Sequence, residues 1–255
     1  MSNAMDYPFL VLVLTFAGLW LSEQVGASFL ARRAELEDGI REDFGHILTG
    51  TLTLLALLIG FIFLMATTRY DQRKNYEEEE ANAIGTEYAR ADLLPAADAE
   101  KVRALLKSYL DQRVLFYTTT DQQQIRQIDT RTARLQSELW SAVVAPASAQ
   151  PTPVVALAVS GMNDVLNTQG YTQAAWLNRI PPAAWILVAL IAICSNVLLG
   201  YGVRKAKGVG RLLLVLPLVV SVSFFLIADI DSPRAGLIHV YPQNLASLVE
   251  SLRAH

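Results

Sequence analysis

The chain has 255 residues, of which 53% are hydrophobic and 18% charged, with a net charge of −3. A typical soluble domain carries roughly 25% charge. The apolar excess is localised, and Ile47–Ala66, Ala183–Tyr201 and Leu212–Ala228 contain no Asp, Glu, Lys or Arg. These features exclude an ordinary soluble enzyme, a disordered chain and a disulfide scaffold. The acidic balance offers no field for a polyanion, so nucleic acid is not an expected partner. The lone cysteine, Cys194, lies inside a hydrophobic stretch and has no intrachain partner.

Ser2-Asn3-Ala4 ahead of Met5 reads as a cloning scar, so residues 1–4 are set aside. A hydrocarbon core of about 30 Å needs roughly 20 helical residues. Ile47–Ala66 meets that length, and Ala183–Tyr201 and Leu212–Ile230 come close. Pro217 is expected to kink the last of these, with Ser221 and Ser223 placed to partner freed backbone groups. The first apolar run, Phe9–Leu21, is short, and spanning requires it to extend from about Tyr7 to Leu30 and so to include Glu23. The expectation is an all-α integral membrane protein with four transmembrane helices. Its parts are residues 5–66 (spans one and two), 67–182 (a helical extramembrane domain), 183–230 (spans three and four) and 231–255 (a turn and tail). An interfacial first helix is the alternative.

The two charge signals for orientation oppose each other. Arg32, Arg33, Arg41, Arg204, Lys205, Lys207 and Arg211 lie in the two short loops, which the positive-inside rule assigns to the cytoplasm. Arg69, Arg73 and Lys74, directly after span two, argue for the other side.

Thr67–Pro182 holds 12 Lys+Arg and 14 Asp+Glu and reads as helical throughout. Tyr70–Ala91 continues span two without a break, giving Ile47–Ala91 a length of about 67 Å, and Leu94-Pro95 ends it. Asp98–Tyr117 and Thr120–Ala145 carry apolar residues at helical spacing, the second opening on a Thr120/Gln123 capping box. Ala145–Pro153 has the composition of a flexible linker. Val154–Asn178 is a further helix, and Leu237–Val240 a short extended piece.

No catalytic, metal-binding or cofactor-binding pattern is present. His46, His239 and His255 are scattered, and HExxH, CxxC, GxSxG and the P-loop are missing, so an enzyme is not expected. Four features bear on function instead. Glu23 is an ionisable residue at or near membrane depth, where a charge costs at least about 2.5 kcal/mol; a place near the interface is the bland reading. Glu77–Glu80 is a run of four carboxylates that either forms a solvated face or rings a pore mouth. Asp229, Asp231 and Arg234 surround the turn after the last span; an interfacial turn with a local ion pair is the bland reading, and a site against Arg69–Arg73 the functional one. Gly50 and Gly60 give span two a small-residue surface, for close helix packing or for a pore lining.

Three stretches carry a family resemblance. One runs from Gly60-Phe61 through Arg69-Tyr70-Asp71-Gln72-Arg73, Glu80-Ala81-Asn82 and on to Leu94-Pro95. The second is Asn178-Arg179-Ile180-Pro181-Pro182 with Trp185, and the third Asp229-Ile230-Asp231-Ser232-Pro233-Arg234-Ala235-Gly236. The chain resembles the bestrophin-like family of bacterial membrane proteins, catalogued as a domain of unknown function (DUF4239). The resemblance implies a multi-pass protein of the bacterial inner membrane, a homo-oligomer (a pentamer, as in bestrophins) and a channel for small ions, anions by analogy. The aromatic neck and the acidic calcium clasp of bestrophins have no counterpart here, and bestrophin topology places the helical domain in the cytosol. On this reading the conduit and its junction take Gly60, Phe61, Leu64, Arg69, Tyr70, Asp71, Arg73, Glu77, Glu80, Asn82, Asp229, Asp231 and Arg234. A non-conducting scaffold or sensor, whose helical domain binds a partner, is the alternative.

Overall fold

The computed structural model describes residues 7–30, 38–202 and 213–254. Every regular element among them is helical. The helices are α1 (Pro8–Val25, continued by a π-helical turn over Gly26–Leu30), α2 (Asp38–Arg90), α3 (Ala96–Thr118), α4 (Gln122–Ala149), α5 (Pro153–Leu177), α6 (Pro182–Gly202), α7 (Val215–Asp231) and α8 (Gln243–Arg253). The chain forms two compact units, residues 1–69 with 179–239, and residues 70–178 with 240–255. The basic-rich stretches at 31–37 and 203–212, with most of the loop arginines and lysines, lie outside the described residues.

In the first unit α1 packs against both α6 and α7. Its buried positions, Pro8, Val11, Leu19 and Glu23, fall at helical spacing, and Phe9, Leu10, Val13, Leu14 and Leu21 point outward. The other apolar helices are arranged alike. Ile186, Leu187, Leu190 and Ile193 of α6 and Leu218, Val219 and Val222 of α7 are exposed, while Trp185 and Phe224 meet edge to face at 5.9 Å inside. Helices that are apolar on their outer as well as their inner surface suit a lipid surround. Three helical stretches are long and apolar enough to cross a membrane: 8–28, one within 43–93 and one within 153–202. The first apolar run therefore reaches spanning length, through the π-helical turn. The 17 residues of α7 fall just short of that length.

Hydroxyls in these helices are satisfied locally. Ser195 Oγ donates to the Ile191 carbonyl (2.8 Å) and Ser223 Oγ to that of Val219 (2.9 Å). Ser221 Oγ donates to the Pro217 carbonyl (2.6 Å), an ordinary contact one turn back; the carbonyl that the proline leaves without its donor is that of Leu213. Pro217, however, does not sit mid-helix. It is the third residue of α7; Leu213, four residues before it, is helical and Leu214 is a turn, so the helical path is interrupted one turn ahead of the proline, where its missing N–H would have bonded.

The close crossing in this unit is at glycines other than those the sequence singles out. A Cβ on Gly200 of α6 would overlap the Glu23 carbonyl oxygen, and one on Gly26 the Val197 carbonyl oxygen. Nothing lies within 4 Å of a Cβ at Gly50 or Gly60.

The second unit is a helical bundle of α3, α4, α5, α8 and the residues of α2 from Tyr70 onward. Its core joins Ile84, Leu106, Tyr109, Leu139, Val143, Met162, Val165 and Leu245. Successive helices pack as hairpins, α3 on α4 and α4 on α5. Several local expectations change. The cap of α4 is Asp121, whose carboxylate accepts the Gln123 N–H at 3.0 Å, not Thr120. Asp121 is one residue nearer the first helical turn, and its charged oxygen is the better acceptor for a free N–H. The expected linker 145–153 is mostly helix. Ala145, Ala147 and Ala149 are strong helix formers, Pro146 is buried within α4, and only Gln150–Thr152 break the path before Thr152 caps α5. The expected tail contains the helix α8, whose Leu245 and Leu252 are buried. Residues 237–240 form no strand; the chain turns there at Gly236, which has φ +106°.

Because the obstacle at Gly200 is backbone, a side chain there is not absorbed by a rotamer change. Gly200→Val is expected to destabilise the detergent-solubilised protein by about 1–3 kcal/mol. Gly18→Ala, which meets open space, is expected to leave the melting temperature unchanged or slightly raised.

Candidate functional site

Helix α2 carries most of the residues the sequence nominates. It runs for 53 residues, about 80 Å. In its apolar part Leu54, Leu57, Phe61 and Leu64 are exposed, Leu64 by 61%. Further on, Thr68, Asp71, Asn75, Glu78, Asn82 and Thr86 are exposed. All of these positions recur at intervals of three and four, which places them on one helical stripe. Gly60 is exposed beside Phe61, Arg69 and Tyr70 are half-buried, and Arg73 is buried.

Glu77 and Glu80 lie on the opposite side and are fully buried. The expectation that they face a vestibule is therefore corrected. Glu77 accepts the Leu245 N–H at 2.9 Å and the Asn244 side-chain amide at 2.7 Å, which places its charge on the N-terminus of α8. The free N–H groups and the positive end of that helix favour an anion there. Glu80 forms an ion pair with Arg113 of α3, accepting from Nε and, at 3.4 Å, from Nη2. The hydroxyls of Tyr117 and Thr172 also donate to it, at 3.5 and 3.3 Å. The Arg113 guanidinium stacks over Phe116 at 4.5 Å. Burial alone would lower the Arg113 pKa, but the Glu80 carboxylate overrides it and holds the guanidinium firmly charged. Burial, with the Glu80 charge added, pushes the Tyr109 and Tyr117 hydroxyls far above the ordinary tyrosine range, so both remain neutral.

The turn after α7 is built on two more carboxylates. Asp229 accepts the N–H groups of Leu237 (2.7 Å) and Ile238 (2.9 Å). Gly236 is required beside it, because a Cβ there would overlap the Asp229 carboxylate. Asp231 accepts the Arg179 Nε–H at 2.9 Å and the Ile180 N–H at 3.2 Å. Arg234 is half-buried in the same turn. Glu23 of α1 is 1% exposed, so it is inside the helix packing and not on its rim.

Sequence reasoning missed Arg113 and Arg179 as partners. The signal for Arg179 was at hand, in the Asn178-Arg179-Ile180-Pro181-Pro182 stretch. Arg113 sits in an ordinary amphipathic helix with nothing to mark it. Among the described residues there is no group of three or more His, Cys, Asp or Glu able to hold a metal ion.

A model of the Bestrophin-like domain matches residues 9–245. The chain belongs to the bestrophin-like family. No curated protein matches it. Solved structures of a bacterial bestrophin homologue from Klebsiella pneumoniae share its fold. One variant superposes with a TM-score of 0.63 at 12% identity, covering 100% of this chain and 97% of that one. A second variant gives 0.64 at 13%, covering 99% and 97%. The homologue solved by zinc phasing gives 0.60 at 14%, covering 96% and 95%. At such identity the likeness is one of fold, and the bestrophin-like chain's own chemistry rests on its own residues.

Removing one member of the Glu80–Arg113 pair leaves a buried charge alone. Glu80→Gln and Arg113→Met are each expected to cost about 3–5 kcal/mol, read as a lowered melting temperature. The double variant Glu80→Gln/Arg113→Met is expected to lose less than the sum of the two.

Proposed function

We propose that this bestrophin-like protein is a homo-oligomeric ion channel of the bacterial inner membrane, with α2 lining the conduit. The observation that carries the reading is the exposed stripe of α2. Leu54, Leu57, Phe61 and Leu64 make it apolar where the helix is apolar all round. Asp71, Asn75, Glu78 and Asn82 make it polar further on, where Arg73, Glu77, Glu80 and Ile84 are buried on the opposite side. A ring of such helices forms a hydrophobic constriction leading into a polar vestibule, and hydrophobic constrictions gate by dewetting.

The topology assigned is four spans: α1, the apolar part of α2, α6 and α7. At 17 residues, α7 is about 26 Å long, which reaches across the hydrocarbon with its ends in the headgroup region. Asp229, Asp231 and Arg179 brace the turns outside the spans. Residues 67–182 are assigned to the extramembrane domain, joined by α8. The family likeness favours anions as cargo and a pentamer as the assembly. Asp71 and Glu78 on the stripe favour cations locally, so the sign of the current is the quantity to measure.

The test is current across a planar bilayer holding the full chain, under separate chloride and potassium gradients. A conductance above that of the empty bilayer is expected. Phe61→Ala or Leu64→Ala is expected to raise it by widening the constriction. Asp71→Asn with Glu78→Gln is expected to move the reversal potential toward chloride. Glu80→Gln, whose carboxylate points inward, is expected to leave it where it was. A monomer by native mass, or a flat trace from an intact oligomer, overturns the channel and favours a scaffold or sensor.

A further inference from the structure

Helix α2 holds one more carboxylate inside the bundle, and it is arranged unlike the others. Glu87 is 0% exposed, and neither of its carboxylate oxygens has a hydrogen-bond partner. It lies well beyond the apolar stretch of α2, against α5. The wall opposite is Gly161, where a Cβ would overlap Oε2 of Glu87 and crowd the guanidinium of Arg90. The glycine therefore makes the space in which the carboxyl sits. A buried carboxylate with no donor is costly, and the same group carrying a proton is tolerated.

The surrounding charges are few. Arg90, one turn on in the same helix, favours the ionised form, and Asp164 of α5 opposes it. On the α3 side Arg103 and Lys107 turn to the Tyr88 ring, and Arg103 pairs with Asp92. Helix α8 packs Leu248 against Gly85.

We propose that Glu87 is a proton-binding site in the helical domain, and that its proton occupancy sets how tightly α2 packs on α5 across Gly161. With the proton on, the carboxyl is neutral and fits the space beside the glycine. With the proton off, the charge draws water into that contact and pulls on the Arg90 guanidinium already beside the glycine, which loosens it. The site stands on its own, whether or not the chain conducts.

Burial pushes the Glu87 pKa up to about 8, from an ordinary value of 4.5. Between those values the folded chain binds a proton that the unfolded chain has released, so stability falls as pH rises through the interval and levels off above it.

The experiment is an infrared titration of the full chain in detergent from pH 6 to 9, following the band of the protonated carboxyl group. The wild type is expected to lose a band with a midpoint near pH 8, and Glu87→Gln is expected to lack that band. Melting temperature is expected to fall over this range in the wild type, with the fall largely lost in Glu87→Gln. Asp164→Asn, at an exposed position, is expected to lower the midpoint and Arg90→Gln to raise it. If the isosteric variant does not fold, these two opposite shifts carry the test. A wild type without a titrating band, a band unchanged in Glu87→Gln, or a midpoint unmoved by both neighbours overturns the proposal.

Discussion

A carboxylate taken out of water needs donors aimed at it, and this requirement organises the chain more than any single apolar contact does. Glu77, Glu80, Asp229 and Asp231 are all buried. Each is met by backbone N–H groups, a guanidinium or hydroxyls. Hydrogen bonds to an ionised acceptor are roughly twice as strong as neutral ones, and losing a donor leaves a buried charge uncompensated. Asp229 closes a local turn, and the other three join segments distant in sequence. Glu77 holds α8 some 170 residues later, Glu80 ties α2 to α3 and α5, and Asp231 ties the end of α7 to the start of α6. Apolar burial supplies the driving force without direction. The carboxylates supply the direction, because each is satisfied in one arrangement only.

The exposed stripe of α2 depends on the same anchors. A straight helix can rotate about its axis with little change in apolar contact, since Leu, Ile and Val substitute for one another in a packed surface. Glu80 against Arg113 and Glu77 against the start of α8 fix that rotation. With those two carboxylates turned inward, Asp71, Asn75, Glu78 and Asn82 face outward. The polar stripe is thus the geometric remainder of two buried interactions on the opposite side.

Much of the fold is legible in the sequence because it follows from local rules. The apolar runs, the break at Leu94-Pro95 and the helices near 98–117 and 154–178 are set by composition, by proline and by periodicity. The misreadings have local causes as well. Pro146 belongs to a stretch with the composition of a linker, yet it is absorbed in an alanine-rich helix end. Helix α8 was missed because its 11 residues carry a weak signal alone and are stabilised by docking, through Leu245 and Leu252. The site was harder. Nothing in the sequence separates Gly26 and Gly200, which admit a close backbone crossing, from Gly50 and Gly60, which meet open space. Pairings such as Glu80 with Arg113 join residues 33 apart and leave no periodic trace.

The run Glu77–Glu80 shows why a charge cluster is a poor unit of function. Successive helical residues are rotated by about 100°, so four consecutive carboxylates cannot share an environment. Glu77 and Glu80, three apart, point into the bundle and are buried, while Glu78 and Glu79 face solvent. Neutralising all four at once would mix a loss of packing with a change of surface field, and one number could not be assigned to either. Glu87, seven residues beyond Glu80 and again on the inner side, continues the same face without finding a donor. Three carboxylates on one inner face then divide by their surroundings: a helix terminus for Glu77, a guanidinium with two hydroxyls for Glu80, and a glycine wall without a hydrogen-bond donor for Glu87. Of the three only Glu87 lacks a donor, and a proton on its carboxyl removes the cost of burying an unpaired charge.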